Sequence, residues 1–190
     1  MTLHLDLLRH GETEIGGFRG SLDDALTERG WAQLHAAVAD RSGWDRIVSS
    51  PLQRCARFAE VLAEERGLPL SFDADLQELH FGAWEGLSAA QLMQTDEAGL
   101  GLFWNDPYAF TPPDGEPMQA FSARIHDALH RLQVTYPGQQ LLLLVHGGVM
   151  RLLLAEARAL PREQLLQVEV GHAALFSVVM AADGSLSEPS

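Results

Sequence analysis

The sequence contains no lysine, a single cysteine and no long apolar run. Without lysine, neither Schiff-base chemistry nor a phosphate-binding loop that depends on a lysine is available. The one cysteine, Cys55, excludes an intrachain disulfide and a cysteine-rich zinc site. The most strongly apolar run, 141–145, is far too short to span a bilayer.

Basic residues are also scarce, since the net charge is -13 and all 13 cations are arginines. Nucleic acids and anionic membranes bind basic faces, so we expect neither as a partner. The segment 1–8 has no basic leader and no small-residue cleavage site, which predicts a cytoplasmic protein. A length of 190 residues with 46% hydrophobic content is typical of one globular domain, expected to cover 1–190.

Apolar patterning predicts strands that alternate with helices. The strands are expected at 3–8, 46–49, 140–145, 166–170 and 174–180. The longer helices are expected at 28–40, 51–66, 118–136 and 149–159, and a short one after Ser88, with N-caps at Thr27, Ser50 and Ser88. This alternation predicts an α/β fold with an open, mostly parallel sheet sandwiched by helices.

Two histidines occupy the same kind of position in this pattern. His10 and His146 each follow a predicted apolar strand, and each is followed at once by glycine. Ligands of open parallel sheets bind outside the carboxyl ends of the strands, so both imidazoles are expected at one edge. A single histidine of this kind is usually structural. Two of them, with Arg9 and Arg54 nearby, favour an anion-binding site.

Six motifs follow one another along most of the chain. They are L-L-R-H-G-E-T at 7–13, R-G-S-L-D-D-A-L-T-E-R-G at 19–30, S-S-P-L-Q-R at 49–54, L-Q-E-L-H-F-G-A-W-E-G at 76–86, P-D-G-E at 113–116 and V-H-G-G-V-M-R at 145–151. With these motifs the chain resembles the histidine phosphatase superfamily, in the branch of the phosphoglycerate mutases and their phosphatase relatives. The resemblance implies a three-layer α/β sandwich and a phosphoric monoester hydrolase that uses neither a metal nor a cofactor.

The resemblance also implies a role for each residue that matches the motifs. His10 matches the nucleophile, which attacks phosphorus and carries the phosphoryl group as phosphohistidine. Arg9, Arg54 and His146 match the phosphate pocket, where their donors neutralise the phosphoryl oxygens. Glu78 matches the residue that protonates the leaving alcohol and then activates water.

Other phosphate contacts are less sharply defined. Thr13 and Gly147 are expected to donate to phosphate oxygens, with a local backbone cap as the alternative for Thr13. Many relatives have an asparagine shortly after R-H-G-E-T, whereas this chain reads E-I-G-G-F-R-G there. We expect Arg19 or Ser21 to supply the missing donors, with a solvent-facing Arg19 as the alternative.

The remaining candidates are interpreted as structural. Arg151, in the last motif, is expected to brace the site from behind. His172 is interpreted as a loop residue without a role. No pair of histidines has the spacing of metal ligands beside a carboxylate, so no metal site is expected.

The segment 87–116 is expected to form a small helical and loop cap over the site. It contains no arginine or lysine, and it carries several carboxylates and four large aromatic residues. Such a cap holds a second phosphate poorly, which favours a phosphatase over a phosphoglycerate mutase. The aromatic residues either form the core of the cap or stack on an aromatic group of the substrate.

The stretch G-G-F-R-G-S-L-D-D-A-L-T and the short chain are most similar to the α-ribazole phosphatases of cobalamin biosynthesis. We therefore predict α-ribazole 5′-phosphate as the substrate, with a broad-specificity sugar or nucleotide phosphatase as the alternative. A phosphoglycerate mutase and a non-catalytic phosphate-binding module are less favoured. The expected partner is a small phosphate monoester, and a homodimer is compatible with the sequence.

Overall fold

The computed structural model describes residues 2–189, so both ends of the expected domain 1–190 lie outside the described residues. A six-stranded sheet runs through the molecule. Its strands are β1 (Leu3–Arg9), β2 (Arg46–Ser49), β3 (Leu70–Phe72), β4 (Gln140–Val145), β5 (Leu175–Met180) and β6 (Leu186–Ser187). They lie in the order β3-β2-β4-β1-β5-β6. The first four in that order are mutually parallel, while β5 is antiparallel to both β1 and β6. The predicted open, mostly parallel sheet is confirmed.

Six α-helices accompany the sheet in the part of the chain described, residues 2–189. They are α1 (Glu28–Val38), α2 (Gln53–Arg66), α3 (Ala89–Thr95), α4 (Glu97–Asn105), α5 (Met118–Thr135) and α6 (Gly147–Ala157). Thr27 caps α1 by accepting from the Gly30 N–H, and Ser88 forms the predicted capping box with Gln91. Within these described residues, no helix has both the length and the apolar character that crossing a bilayer requires.

The two faces of the sheet contribute to two hydrophobic cores. In β4, Leu141, Leu143 and Val145 pack with α5 and α6, whereas Leu142 and Leu144 pack with α1 and α2. This alternation follows from the strand, whose successive side chains point to opposite faces. It explains why β4 is apolar from Leu141 to Val145: helices cover it on both sides.

Some sequence predictions of local structure were wrong. The N-cap of α2 is Leu52 rather than Ser50, and α6 begins at Gly147 rather than at 149. The segment 166–170 is not a strand; a 3-10 helix covers Arg162–Gln167, and the residues after it are irregular. Its alternating apolar residues are nevertheless buried, because Val168 and Val170 pack into the core beside α5 and α6. An irregular segment that lies along a core can therefore show the apolar alternation of a strand.

Candidate active site

The carboxyl ends of β1 and β4 bring the two histidines together. Arg9 pairs in register with Val145, so the next residue of each strand, His10 and His146, leaves the sheet at the same edge. The His10 N–H donates to the Val145 carbonyl at 3.1 Å, and the two imidazole centroids are 5.4 Å apart. The predicted common edge is therefore present.

His10 is held in one tautomer. The residue is only 3% exposed, and Nδ1 lies 2.8 Å from the Gly11 carbonyl oxygen. Because a carbonyl only accepts, Nδ1 carries the proton and Nε2 keeps a free lone pair. Burial, with the charges of Arg54 and Arg9, lowers the pKa of His10 well below its usual range. The imidazole is therefore neutral at physiological pH, as a nitrogen nucleophile must be.

His146 is fixed by a similar argument behind His10. The Nε–H of Arg54 donates to His146 Nδ1 at 3.2 Å, so the proton of His146 is on Nε2 and donates to Ser50 Oγ at 2.8 Å. Complete burial lowers the pKa of His146 well below its usual range, and Arg54 adds to that effect. His146 is thus a neutral, fully hydrogen-bonded group.

Arg54 is a fully buried cation whose donors are directed by a neighbouring loop. Nη1 donates to the Leu22 carbonyl at 2.7 Å, and Nη2 donates to the Gly20 carbonyl at 2.8 Å. The carboxylate of Asp24, also buried, lies 3.5 Å from Nη1 and supplies a counter-charge. A buried arginine needs such partners, and here the loop 20–24 provides them.

Glu85 holds this loop in place. Its carboxylate accepts from the backbone N–H groups of Gly20 at 3.0 Å, Ser21 at 3.0 Å and Leu22 at 3.2 Å. It also accepts from the Phe81 N–H at 2.9 Å. The glutamate of the W-E-G motif therefore orients the carbonyl groups that bind Arg54, and its role is to position a cation.

A cavity of about 310 Å³ opens next to His10. Its polar lining consists of Arg9, His10, Arg19, Glu78 and Arg151, with the backbone of Gly147 and Gly148. Its apolar lining consists of Phe18, Leu79, Phe81, Phe103, Trp104, Met118, Phe121, Leu165 and Leu166. A volume and composition of this kind suit a small ligand that carries both an anionic and an apolar group.

Glu78 is anchored at the beginning of α6. One carboxylate oxygen accepts from the Gly148 N–H at 2.8 Å, and the other accepts from the Leu79 N–H at 2.9 Å. A side chain at position 148 would overlap the Glu78 carboxylate, so the second glycine of V-H-G-G allows this approach. The helix N-terminus favours the negative charge there.

Three arginines of the polar lining are held by backbone or carboxylate groups. Arg9 Nη1 donates to the Val170 carbonyl at 2.7 Å, and burial lowers the pKa of Arg9 to about 10. Arg19 pairs with Asp24 at 3.3 Å, and Arg151 Nε donates to the Val168 carbonyl at 3.1 Å. The three guanidinium groups give the lining its positive charge.

The other residues predicted from the sequence lie at different distances from the cavity. Gly147 lines it, and Arg19 lines it rather than pointing to solvent. Thr13 is buried, with Oγ1 against the Arg19 guanidinium and donating to the Ile15 carbonyl. Ser21 is exposed and reaches the site only through its backbone bond to Glu85. Phosphate contacts of Thr13 and Ser21 stay predictions.

Several residues near the site had no distinct signal in the sequence. Asp24, Ser50 and Glu85 act on the arginines and histidines through contacts that depend on the folded loops. His172, interpreted from the sequence as a loop residue without a role, has its ring centroid 5.9 Å from that of His10. Only the pairing of β5 with β1 brings residues so distant in sequence together.

The single thiol, that of Cys55, lies against His146. Cys55 is fully buried, with Sγ 3.4 Å from the Val145 carbonyl oxygen and 3.8 Å from His146 Nε2. Burial raises the pKa of Cys55 to about 12, so the thiol stays protonated. Its role in the native state is packing.

The aromatic residues of the segment 87–116 divide between core and cavity. Phe103 and Phe110 pack on Trp84, at centroid distances of 5.6 Å and 5.7 Å. Phe103 also lines the cavity together with Trp104, which is 49% exposed. Phe103 and Phe110 thus belong to an aromatic core, and stacking of these residues on a substrate stays a prediction.

Comparison with known proteins identifies the family. A model of the histidine phosphatase superfamily (branch 1) matches residues 5–187. The chain belongs to the histidine phosphatase superfamily.

Individual relatives refine that assignment. A bifunctional protein of Mycobacterium tuberculosis is 35% identical over 187 residues, which cover 95% of this chain but 51% of the relative; the chain spans about half the length of such relatives. The adenosylcobalamin/alpha-ribazole phosphatase of Escherichia coli K12 is 33% identical over 174 residues, 88% of this chain and 85% of the relative. Among solved structures, mycobacterial glucosyl-3-phosphoglycerate phosphatase has a TM-score of 0.85 at 27% identity, covering 100% of this chain and 97% of that one.

Proposed function

We propose that the protein is a metal-independent phosphomonoesterase whose nucleophile is Nε2 of His10. The observation that carries the proposal is the state of His10: a neutral imidazole whose Nδ1–H is bound by the Gly11 carbonyl and whose Nε2 lone pair is free. The same cavity contains a carboxylate, Glu78, and the cations Arg9 and Arg19. A nucleophile, a proton carrier and charge-neutralising donors are the parts that phosphoryl transfer needs.

In the first step, the Nε2 lone pair forms a bond to phosphorus while the bond from phosphorus to the ester oxygen breaks. Glu78, which takes up a proton as the phosphate dianion binds, gives it to that oxygen, which leaves as an alcohol. The negative charge that develops on the phosphoryl oxygens is met by Arg9 and by Arg54, which stands behind His10. No oxidant, reductant or second substrate is required.

In the second step, water attacks the phosphohistidine. The Glu78 carboxylate takes a proton from the water as its oxygen bonds to phosphorus, and the bond from phosphorus to nitrogen breaks. Inorganic phosphate leaves, and both His10 and Glu78 return to their starting states. The Gly148 N–H holds the Glu78 carboxylate throughout.

We propose α-ribazole 5′-phosphate as the substrate and the segment 87–116 as a cap over the site. The apolar lining, with Phe103 and the half-exposed Trp104, suits the flat benzimidazole of that molecule. The segment contributes no cation to hold a second phosphate. The name of the Escherichia coli relative supports this substrate. A broad-specificity phosphatase acting on sugar or nucleotide phosphates is the alternative.

The covalent mechanism is tested by trapping the intermediate. Quenching a reaction in alkaline denaturant should leave a phosphoprotein. Acid should then release inorganic phosphate from it. His10→Ala should lose this phosphoprotein together with about 10³-fold or more of the turnover. His130→Ala, an exposed histidine on α5, serves as the control. Full turnover by the His10 variant would contradict the mechanism. So would a loss of activity when a chelator is added to the unmodified protein.

The substrate is tested by comparing rates. We expect kcat/KM for α-ribazole 5′-phosphate to exceed those for nucleoside monophosphates, fructose 2,6-bisphosphate and 3-phosphoglycerate by about tenfold or more. Values that agree within about threefold would instead favour the broad-specificity alternative.

A further inference from the structure

A loop without regular structure is hydrogen-bonded at three points to Arg9 and to the nucleophile, His10. The Arg9 guanidinium donates to the Val170 carbonyl at 2.7 Å, and the Arg9 N–H donates to the Ala174 carbonyl at 3.0 Å. The Ala173 N–H donates to the His10 carbonyl at 3.1 Å. The loop 170–174 therefore cannot move without disturbing the residues at the end of β1.

The same loop contains a backbone conformation that alanine rarely adopts. Ala173 has φ of 54°, in the left-handed region, which is strained for a residue other than glycine. Strain of this kind persists when the surroundings impose it, and it is concentrated at functional sites. Its consequence here is the position of His172, whose ring lies 5.9 Å from that of His10 at an interplanar angle of 43°.

The charges around His172 come from three other segments. Arg9 at the end of β1 and Arg19 in the following loop face it, as do Glu12 and, from α1, Arg29. Partial burial, followed by Arg9 and Arg19, lowers the pKa of His172. The ring is therefore neutral at physiological pH, but it can still donate one N–H.

A phosphoryl dianion beside His10 changes this balance. Its two negative charges offset the arginines that disfavour a protonated His172, and its oxygens accept hydrogen bonds. His172 is exposed and lies on the solvent side of His10. His146 lies on the buried side, and both of its ring nitrogens are hydrogen-bonded, to Arg54 and to Ser50. Of the two histidines beside His10, His172 is thus the one with donors to offer a ligand.

We propose that His172 is a phosphoryl-binding residue, which donates from its imidazole to an oxygen of the phosphoryl group on His10 and of bound inorganic phosphate. The proposal rests on the proposed function of His10 and adds a residue on the solvent side of the site. Because protonation strengthens the hydrogen bond, the contribution of His172 grows as the pH falls.

The test is inhibition of 4-nitrophenyl phosphate hydrolysis by inorganic phosphate in the full chain. For His172→Ala we expect the inhibition constant to rise about tenfold at pH 5.5 and about threefold at pH 8, relative to the unmodified protein at each pH. His172→Gln keeps a neutral donor and should recover most of the loss at pH 8 only. His130→Gln, an exposed histidine on α5, is the matched control and should change neither value.

A direct measurement of the ring completes the test. In histidine NMR titrations, with the His172 signal assigned by its absence in His172→Gln, adding inorganic phosphate should raise the pKa of His172. An unchanged pKa, or equal inhibition constants for His172→Ala and the unmodified protein at both pH values, overturns the proposal. If no phosphoenzyme forms on His10 at all, the proposed function fails instead, and the two failures are distinguishable.

Discussion

The polar and the apolar lining of the cavity are built from different kinds of sequence. Most of the polar lining comes from short motifs at the carboxyl ends of β1 and β4, where the sheet fixes backbone positions, and loops add Arg19 and Glu78. The apolar lining comes from segments scattered from Phe18 to Leu166, which meet only through tertiary packing. Hydrogen bonds fix the geometry of the polar lining, whereas the apolar lining is determined mainly by the shapes of its packed side chains. Substitutions should therefore be costly in the polar lining and its supports, and graded in the apolar lining.

The largest effect is expected when Arg54, the buried arginine behind the polar lining, loses its guanidinium group. Arg54→Lys keeps the charge but cannot bind Gly20, Leu22 and His146 together, so kcat/KM should fall about 10²- to 10³-fold. The control is Arg57→Lys, one turn later on α2, where the exposed arginine pairs with Glu60. Steady-state kinetics on variants of unchanged circular dichroism measure both. A loss below about fivefold would show that the charge alone suffices.

A smaller loss is expected one step further from the cavity. Glu85→Gln removes one of the two carboxylate oxygens that orient the loop 20–22, so kcat/KM should fall about tenfold. Because Glu85 acts through Arg54, the double variant with Arg54→Lys should lose little more than Arg54→Lys alone. Glu60→Gln on the exposed face of α2 provides the control. Fully multiplicative losses would mean that the two residues act independently.

The apolar lining should respond more weakly and only to some substrates. Trp104→Ala should raise KM about three- to fivefold for a phosphate ester with an aromatic group, without changing the inhibition constant of inorganic phosphate. Leu102→Ala is the matched control, since Leu102 is 57% exposed on the same helix and does not line the cavity. An equal change for inorganic phosphate would mean that the two linings are coupled.

The smallest effect concerns a pair that joins the helices behind the two linings. His126 on α5 donates to Glu156 on α6 at 2.8 Å, and this hydrogen bond raises the pKa of His126. The resulting stabilisation is complete below the ordinary histidine pKa of about 6.5 and disappears as the pH rises through the raised value. His126→Gln should therefore lower Tm by about 1–2 °C at pH 5.5 and leave it unchanged near pH 9.

Activity at neutral pH should be unaffected by this change, with His130→Gln as the thermal control. Equal shifts in Tm at both pH values would assign the effect to packing instead of charge.

Sequence patterns predicted most of the framework because the relevant forces are local there. The apolar run of β4 and the caps at Thr27 and Ser88 have signatures within a few residues. The three-residue β3 and the two-residue β6 are too short to show a period. The helix α4 was missed because Gly99 and Gly101 weaken its helical signal, while Asp96 caps it by accepting from the Gly99 N–H.

Some residues of the site could likewise be predicted from the sequence, and others could not. His10 and His146 were predicted to meet because each follows a strand of a parallel sheet, and that geometry is general. The position of His172 depends on the pairing of β5 with β1 and on the conformation of Ala173, which no short pattern encodes. The same holds for Glu85, whose four backbone partners come from two separate segments.

The buried thiol of Cys55 can be used to measure how fast the active site opens. Since its pKa is about 12 and it is enclosed beside His146, a thiol reagent reacts only with molecules whose site has transiently opened. The rate of labelling then reports how often α2 separates from the end of β4. Ligands that bind the closed site, such as orthovanadate, should slow that labelling in proportion to their occupancy.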